Sequence, residues 1–417
     1  MNSKFYKKSI RSNTIAPYAL LDSVKPRFSF TESMLAYIRG VDNTNVNVYK
    51  FGNSSVGEDY ATLTDAWALN TIDPDTLHVL SRIKPPIPGG FILDPYIISL
   101  STSHPLPEYG TSNYITFVVD MHGLSRYIIK VFRIVSAHQR ELIASIPSDV
   151  NPYMHSFSGT REHAIFFAAP LIVDLETAMM SESTLDGILW LPDRPTLVYV
   201  VHLGTGHVTT LETETDAVHI HHINGYTTED PNVLVVDAPV YTNFDIFRAY
   251  SVKTITNLEL MDNLNCSVAL KRYVIDLTRG AVTVSTFPSN PDLPSANKFD
   301  FPAINENFRY KPYCFVYGVA YQADAVHYSV MAVVKKDLCG QLRDRVWFTA
   351  SQYPSEPQFI ATPGGQEEDH GFLVFLVLDG KSQRSHVVVL NATTFEEVSE
   401  SLLPEALPFR THGRVFQ

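Results

Sequence analysis

Basic residues are in the minority in this chain: 32 Lys and Arg against 44 Asp and Glu give a net charge of −12 over 417 residues. A protein that neutralises phosphates needs the opposite balance, so no nucleic-acid partner is expected. Cysteine is scarce too. Cys266, Cys314 and Cys339 are too few and too scattered for a disulfide framework or a thiolate zinc site, and they read as inert buried thiols in a reducing compartment. No run reaches the ~18 uninterrupted apolar residues of a membrane span. The N-terminus, MNSKFYKKSIRSNTIAPYALLDSV, has no acid before Asp22, but its apolar stretch is too short for a secretory signal. A cytoplasmic protein is expected, with a mitochondrial leader left open. Long stretches of 3.6-residue apolar periodicity are also few, which argues against an all-helical fold.

What is present is strand. Val, Ile, Thr, Tyr and Phe recur in short runs broken by Pro, Gly, Asn and Asp, and 45% hydrophobic residues suffice for a large core. The helix candidates are short, near 28–38 (FSFTESMLAYI) and 171–180 (LIVDLETAMM). Six hairpin-like units follow one another: LNTIDPDTLHVL, VFRIVSAHQRELIA, YVVHLGTGHVTTL, YVIDLTRGAVTVS, AVVKKDLCGQLRDRVWF and VVVLNATTFEEVS. Their turns, near residues 74, 138, 205, 279, 337 and 392, lie roughly 55 to 74 residues apart, the length of a four-stranded propeller blade with its loops. The reading is an all-β propeller; two stacked sandwiches are the alternative. Seven blades of ~65 residues would need about 455 residues, slightly more than are here.

HIHHINGY, residues 219–226, holds three of the fifteen histidines. On a strand, His219 and His221 would point one way and His222 the other, so the spacing permits a local metal pair, or simply a polar strand end. His104 in STSHPLPEYGT, His155 in NPYMHSFSGT and His412 in LPFRTHGRVF lie in other putative blades. In a propeller the innermost strands line one axis, so such distant histidines can meet without a short motif.

The C-terminal third, YPSEPQFIATPGGQEEDHGFLVFLVLDG followed by VVVLNATTFEEVSESLLPEALPFRTHGRVF, resembles the SEPxF, EEDxG, LNAxTFxEV and FHG blocks of the carotenoid cleavage oxygenases in order. That family includes the animal carotene oxygenases and the retinal pigment epithelium retinoid isomerase. FDFPAINENFRYKPYCFVYG, HHINGYTTED, YMHSFSGT and TSHP are similar to further family blocks, and the resemblance spans roughly residues 30–417. It implies a seven-bladed propeller with one non-haem Fe(II), taken as a single domain over 30–417 behind a 1–29 extension and lacking some N-terminal strands.

Carried over residue by residue, the resemblance makes His104, His155, His221 and His412 the iron ligands, leaving His219 and His222 without that role. The outer carboxylates become Asp65, Asp300 and Glu356, two of them shorter than the glutamates of the family. An aspartate reaches one methylene less far, so either the backbone comes closer or a water bridges. The implied reaction is cleavage of a C=C bond of a carotenoid or apocarotenoid with O2, needing no organic cofactor. Thr64, where stilbene-cleaving relatives carry lysine, and Phe301 are candidate tunnel residues. A lipophilic polyene implies docking on a membrane surface, with the apolar-rich stretch 171–192 as the candidate patch. The alternatives are an isomerohydrolase-type activity, and a truncated non-catalytic propeller, because the Gly-Pro-Gly and FDG segments that begin family members have no counterpart in this sequence.

Overall fold

The computed structural model describes residues 4–13, 31, 42–53, 57–89, 99–121, 126–181, 184–191, 193–213, 218–249, 251–321 and 331–416. They group into two compact units, one mainly of residues 1–157 and 162–216, the other mainly of 217–249 and 257–417.

The first unit holds three larger antiparallel sheets and a two-stranded one, Leu171–Val173 with Ile188–Trp190. One runs Asn47–Asn53, Gly57–Leu63, Leu69–Ile72, Val79–Ile83, and the next Leu100–Ser101, Tyr114–Met121, Tyr127–Ile134, Arg140–Ser148. The third contains His163–Ala168, Thr196–His202 and Val208–Thr213. The second unit repeats the plan. Its sheets run Val218–His219, Val233–Tyr241, Val268–Asp276, Ala281–Thr286; then Phe299–Ala303, Phe315–Tyr321, Met331–Asp337, Arg345–Trp347; then Gln352–Pro354, Gly371–Asp379, Arg384–Asn391, Glu397–Leu402.

Every hairpin picked out in the sequence is the last pair of strands in one of these sheets. The reason these were the legible parts is burial. The final strands face water on one side and alternate or are exposed throughout, as in Ala281–Thr286 and Glu397–Leu402, whereas middle strands such as Tyr114–Met121 and Val233–Tyr241 are buried along almost their whole length. Facing sheets bury aromatic cores; Phe117, Phe157 and Phe166 meet edge-on and stacked in the first unit, with Phe117 and Phe166 fully buried.

Four expectations need correction or refinement. The described residues form six blade-like sheets, not seven, in keeping with six hairpins and a chain shorter than seven repeats require. Cys314 and Cys339 are joined by a disulfide, Cα to Cα 5.1 Å. Pairing of Phe315 with Asp337 places the residues just outside that hairpin side by side, a juxtaposition that 25 residues of separation concealed; Cys266 alone remains a buried thiol. The stretch 171–180 splits into a strand, Leu171–Val173, and a helix, Leu175–Met180, begun by Asp174, whose carboxylate accepts the Thr177 N–H at 2.7 Å. Within 171–192, Leu171, Ala178 and Ile188 are buried, and Ile172, Val173, Leu185, Leu189, Trp190 and Leu191 are half-buried. The other helix candidate, 28–38, lies outside the described residues except for Thr31. No described helix is long and apolar enough to cross a membrane.

Candidate functional site

The first strand of a sheet is interrupted in three places, and each interruption carries a residue singled out above. Leu100–Ser101 and Leu106–Pro107 both pair with Tyr114–Met121, and His104 sits in the gap. Val218–His219 and Asn224–Thr227 both pair with Val233–Tyr241, around His221. Gln352–Pro354 and Gln358–Ala361 both pair with Gly371–Asp379, around Glu356. In the fourth case the register slips between Asp300 and Ala303, and Phe301 takes φ of 54°. An aromatic residue in the left-handed region is a strained choice, of the kind held in place at functional sites. Breaking the ladder re-aims side chains that strict alternation would send to one face or the other.

The alternation expected for HIHHINGY accordingly fails. The strand ends at His219, so His219 and His222 stack face to face, centroids 5.5 Å apart and planes 5° apart, while His221 turns elsewhere. His219 is buried and its Nε2 bonds the Tyr273 hydroxyl at 2.9 Å; burial, helped by Lys271, lowers its pKa to about 3, so its imidazole is neutral. It is a core histidine.

In the first unit, His104 and His155 face each other through Nε2 at 3.1 Å. Asp65 takes the other side of His155, Nδ1 to Oδ2 at 2.6 Å. The Tyr153 hydroxyl donates to the same oxygen at 3.1 Å, and the N–H and hydroxyl of Ser103 donate to Oδ1 at 3.2 and 3.0 Å. Burial pushes the Asp65 carboxyl upward, but His155, Ser103 and Tyr153 outweigh it and hold it below the ordinary carboxylate value. Burial and the charge of Asp65 drive the Tyr153 phenol well above 10, so it stays a donor. His104 is braced differently: its backbone N–H donates to Thr102 Oγ1, which donates to the His155 carbonyl, and its ring Nδ1 lies 3.5 Å from the Asn47 side-chain amide.

In the second unit the buried Asp300 accepts from His221 Nδ1 at 2.8 Å, from the Phe301 N–H at 2.8 Å and from the Tyr241 hydroxyl at 2.7 Å. Here too burial raises the carboxyl, and His221, Tyr241 and the Phe301 amide together bring it below its ordinary value. Glu356 Oε2 receives His412 Nδ1 at 3.2 Å and the Gln358 amide at 3.2 Å. The His221 and His412 rings lie 5.0 Å apart, with Phe301 5.1 and 5.3 Å from them.

Three histidines thus engage a carboxylate through Nδ1, which assigns the proton to that nitrogen and leaves Nε2 with a lone pair. That tautomer is the one a metal needs, and a carboxylate behind an imidazole is the usual outer partner of a ligating histidine. The donor set fits a divalent transition ion that accepts neutral nitrogen ligands. The shortened Asp65 and Asp300 reach their histidines directly, at 2.6 and 2.8 Å, too close for a bridging water. Thr64 is buried, and no contact assigns it to a substrate. Tyr153, Tyr241, Ser103 and Asn47 were not singled out from sequence; only position, two residues before His155, marks Tyr153 out.

The chain matches the family model described as retinal pigment epithelial membrane protein over residues 3–416. It belongs to that family. Its relatives include a human protein named carotenoid-cleaving dioxygenase, mitochondrial, 27% identical over 89% of this chain and 69% of the relative. Another is a chicken (Gallus gallus) beta,beta-carotene 15,15'-dioxygenase, 24% identical over 99% and 84%. A third is a Galleria mellonella carotenoid isomerooxygenase, 24% identical over 95% and 76%. Among solved structures, cobalt-substituted ACO of Synechocystis superposes with a TM-score of 0.78 at 19% identity, covering 99% of this chain and 82% of that one. The fold of this family member is therefore the all-β propeller, and its named relatives are oxidoreductases.

Proposed function

We propose that this protein is a non-haem Fe(II) dioxygenase that splits a C=C bond of a carotenoid or apocarotenoid with O2, with His104, His155, His221 and His412 as the ligands of one ion. The observation that carries the reading is the repeated histidine–carboxylate pair, three times over, in a chain that matches the family almost end to end. The domain is read as one functional unit over 30–417.

Bound Fe(II) would supply activation of O2, chemistry no side chain here offers. The protein supplies the rest. Asp65, Asp300 and Glu356 hold the protons of His155, His221 and His412 on Nδ1, so that each Nε2 keeps its lone pair. Neutral imidazoles leave a divalent ion its charge and, being four, leave coordination positions open. Phe301, packed against the His221 and His412 rings, screens them from water. An apolar polyene has no group to ionise, so bond selection rests on positioning, a task for residues lining its path; Phe301 is the candidate nearest these rings. A membrane surface is the natural source of such a substrate, with no docking residues assigned within 171–192.

The test is direct. Protein reconstituted anaerobically with Fe(II), then given O2 and a carotenoid or an apocarotenoid in detergent, should yield carbonyl products, and His221→Ala should yield none. Folded, iron-loaded protein that leaves both substrate types intact would refute the cleavage reading. The Galleria relative's name adds isomerisation as a second reading, and the double-bond geometry of the products separates the two.

A further inference from the structure

Two of the three carboxylates in the histidine pairs are aspartates, and both are tied to a tyrosine hydroxyl, Asp65 to Tyr153 and Asp300 to Tyr241. The third is a full-length glutamate and, among the described residues, is tied to the Gln358 amide instead. The correlation has a physical reason. A short carboxylate sits close to its own backbone, and its orientation about the last side-chain bond decides whether an oxygen lies in the plane of the imidazole N–H. A tyrosine delivers its hydroxyl on a rigid ring with only two rotatable bonds from a different stretch of chain, so it can lock that orientation from outside.

Both tyrosines are well placed for this. Tyr153 lies two residues before His155, its ring nearly parallel to that imidazole at 6.3 Å, and its hydroxyl is 3.1 Å from Asp65 Oδ2 and 3.2 Å from His155 Nδ1. Tyr241 ends the buried strand Val233–Tyr241, opposite Val218 across the ladder, and is 2% exposed. It takes Asp300 Oδ2, leaving Oδ1 to His221 and the Phe301 N–H. The two units solve the same problem with different folds of chain.

We infer that Tyr153 and Tyr241 are positioning residues of the metal site, their hydroxyls orienting the two shortened carboxylates and through them His155 and His221. The inference rests on the four-histidine reading above. A hydroxyl that acts this way holds the Nε2 lone pair on its ion without touching ion or substrate. Its removal weakens and loosens metal binding without removing a ligand.

The experiment compares Tyr153→Phe, Tyr241→Phe and Tyr273→Phe by chelator competition for Fe(II) and Co(II), by the visible spectrum of the Co(II) form, and by thermal midpoint. Tyr273→Phe is the control, since its hydroxyl bonds His219, outside the pairs. The two test variants should bind either ion about 10- to 100-fold more weakly, the effect typical of losing an outer partner. They should also shift the Co(II) bands, whereas the control keeps wild-type affinity and spectrum.

Asp300→Glu placed in Tyr241→Phe adds one methylene where one oxygen was removed, and should recover part of the lost affinity. Wild-type protein that binds neither ion overturns the four-histidine reading, and this inference with it. Wild-type binding, with test variants no weaker than the control, overturns the inference alone. If one test variant fails to fold, the other decides; if neither folds, the hydroxyls are structural and the inference is wrong.

Discussion

Asp65 accepts four hydrogen bonds and Asp300 three, all from donors held by the fold. Such carboxylates remain anionic because the attraction of the adjacent histidine, together with the hydrogen bonds, outweighs the cost of burial. At this scale charge can be separated from shape. Asp300→Asn keeps the outline of the side chain and can keep an oxygen on His221 Nδ1 and the Phe301 N–H, with its amide N–H turned to the Tyr241 hydroxyl, but it removes the negative charge. The imidazole then loses the anionic partner that raises its basicity, and Fe(II) affinity should fall roughly 10- to 100-fold, measured by chelator competition with thermal stability as a check on folding. Affinity equal to wild type would show that His221 does not depend on this carboxylate. Much of this was legible: the histidines and acids stand in recognisable blocks, and the structure places Asp65, Asp300 and Glu356 on His155, His221 and His412. The tyrosines were not, because Tyr153 and Tyr241 meet their aspartates across 88 and 59 residues. Nothing in a local pattern distinguishes them from the remaining tyrosines among 21.

Elements decide where those residues point. Reading strands by alternation found the closing hairpin of each of the six larger sheets and missed the interrupted first strands, since two- or three-residue segments such as Val218–His219 and Gln352–Pro354 have no period to detect. Close packing behind these segments is part of the device. Gly318 lies on the strand beside Asp300, and a Cβ there would meet the Phe299 ring at 2.3 Å and the Asp300 carbonyl at 2.8 Å. Gly318→Ala should therefore cost about 1–3 kcal/mol by overpacking and displace Asp300, lowering metal affinity as well as the thermal midpoint. A variant with unchanged metal affinity would show that the bulge absorbs the strain.

Farther from the site, Glu108 is clamped by the Arg133 fork at 2.6–2.9 Å. Burial raises its carboxyl, but Arg133 and Asn113 outweigh this and set it below 4.5. A carboxyl depressed on folding adds stability that is present above pH 4.5 and disappears as pH falls through the lower folded value. Acid titration of unfolding should thus be flatter below pH 4.5 in Glu108→Gln than in the wild type. Parallel acid limbs would show that this pair does not tune stability.

For the molecule as a whole, six sheets of common plan were foreshadowed by six hairpins at near-regular spacing, and the family match gives them one architecture. The disulfide between Cys314 and Cys339 escaped notice because pairing across a hairpin depends on register, which composition does not carry. The central claim is that four histidines distributed over the chain serve one ion. Iron per folded chain, measured after anaerobic Fe(II) loading and removal of excess metal, tests it most directly. One iron per chain is predicted, lost or much weakened in each of His104→Ala, His155→Ala, His221→Ala and His412→Ala, and retained in His219→Ala. No iron in folded wild-type protein, or iron indifferent to His221→Ala, would contradict it.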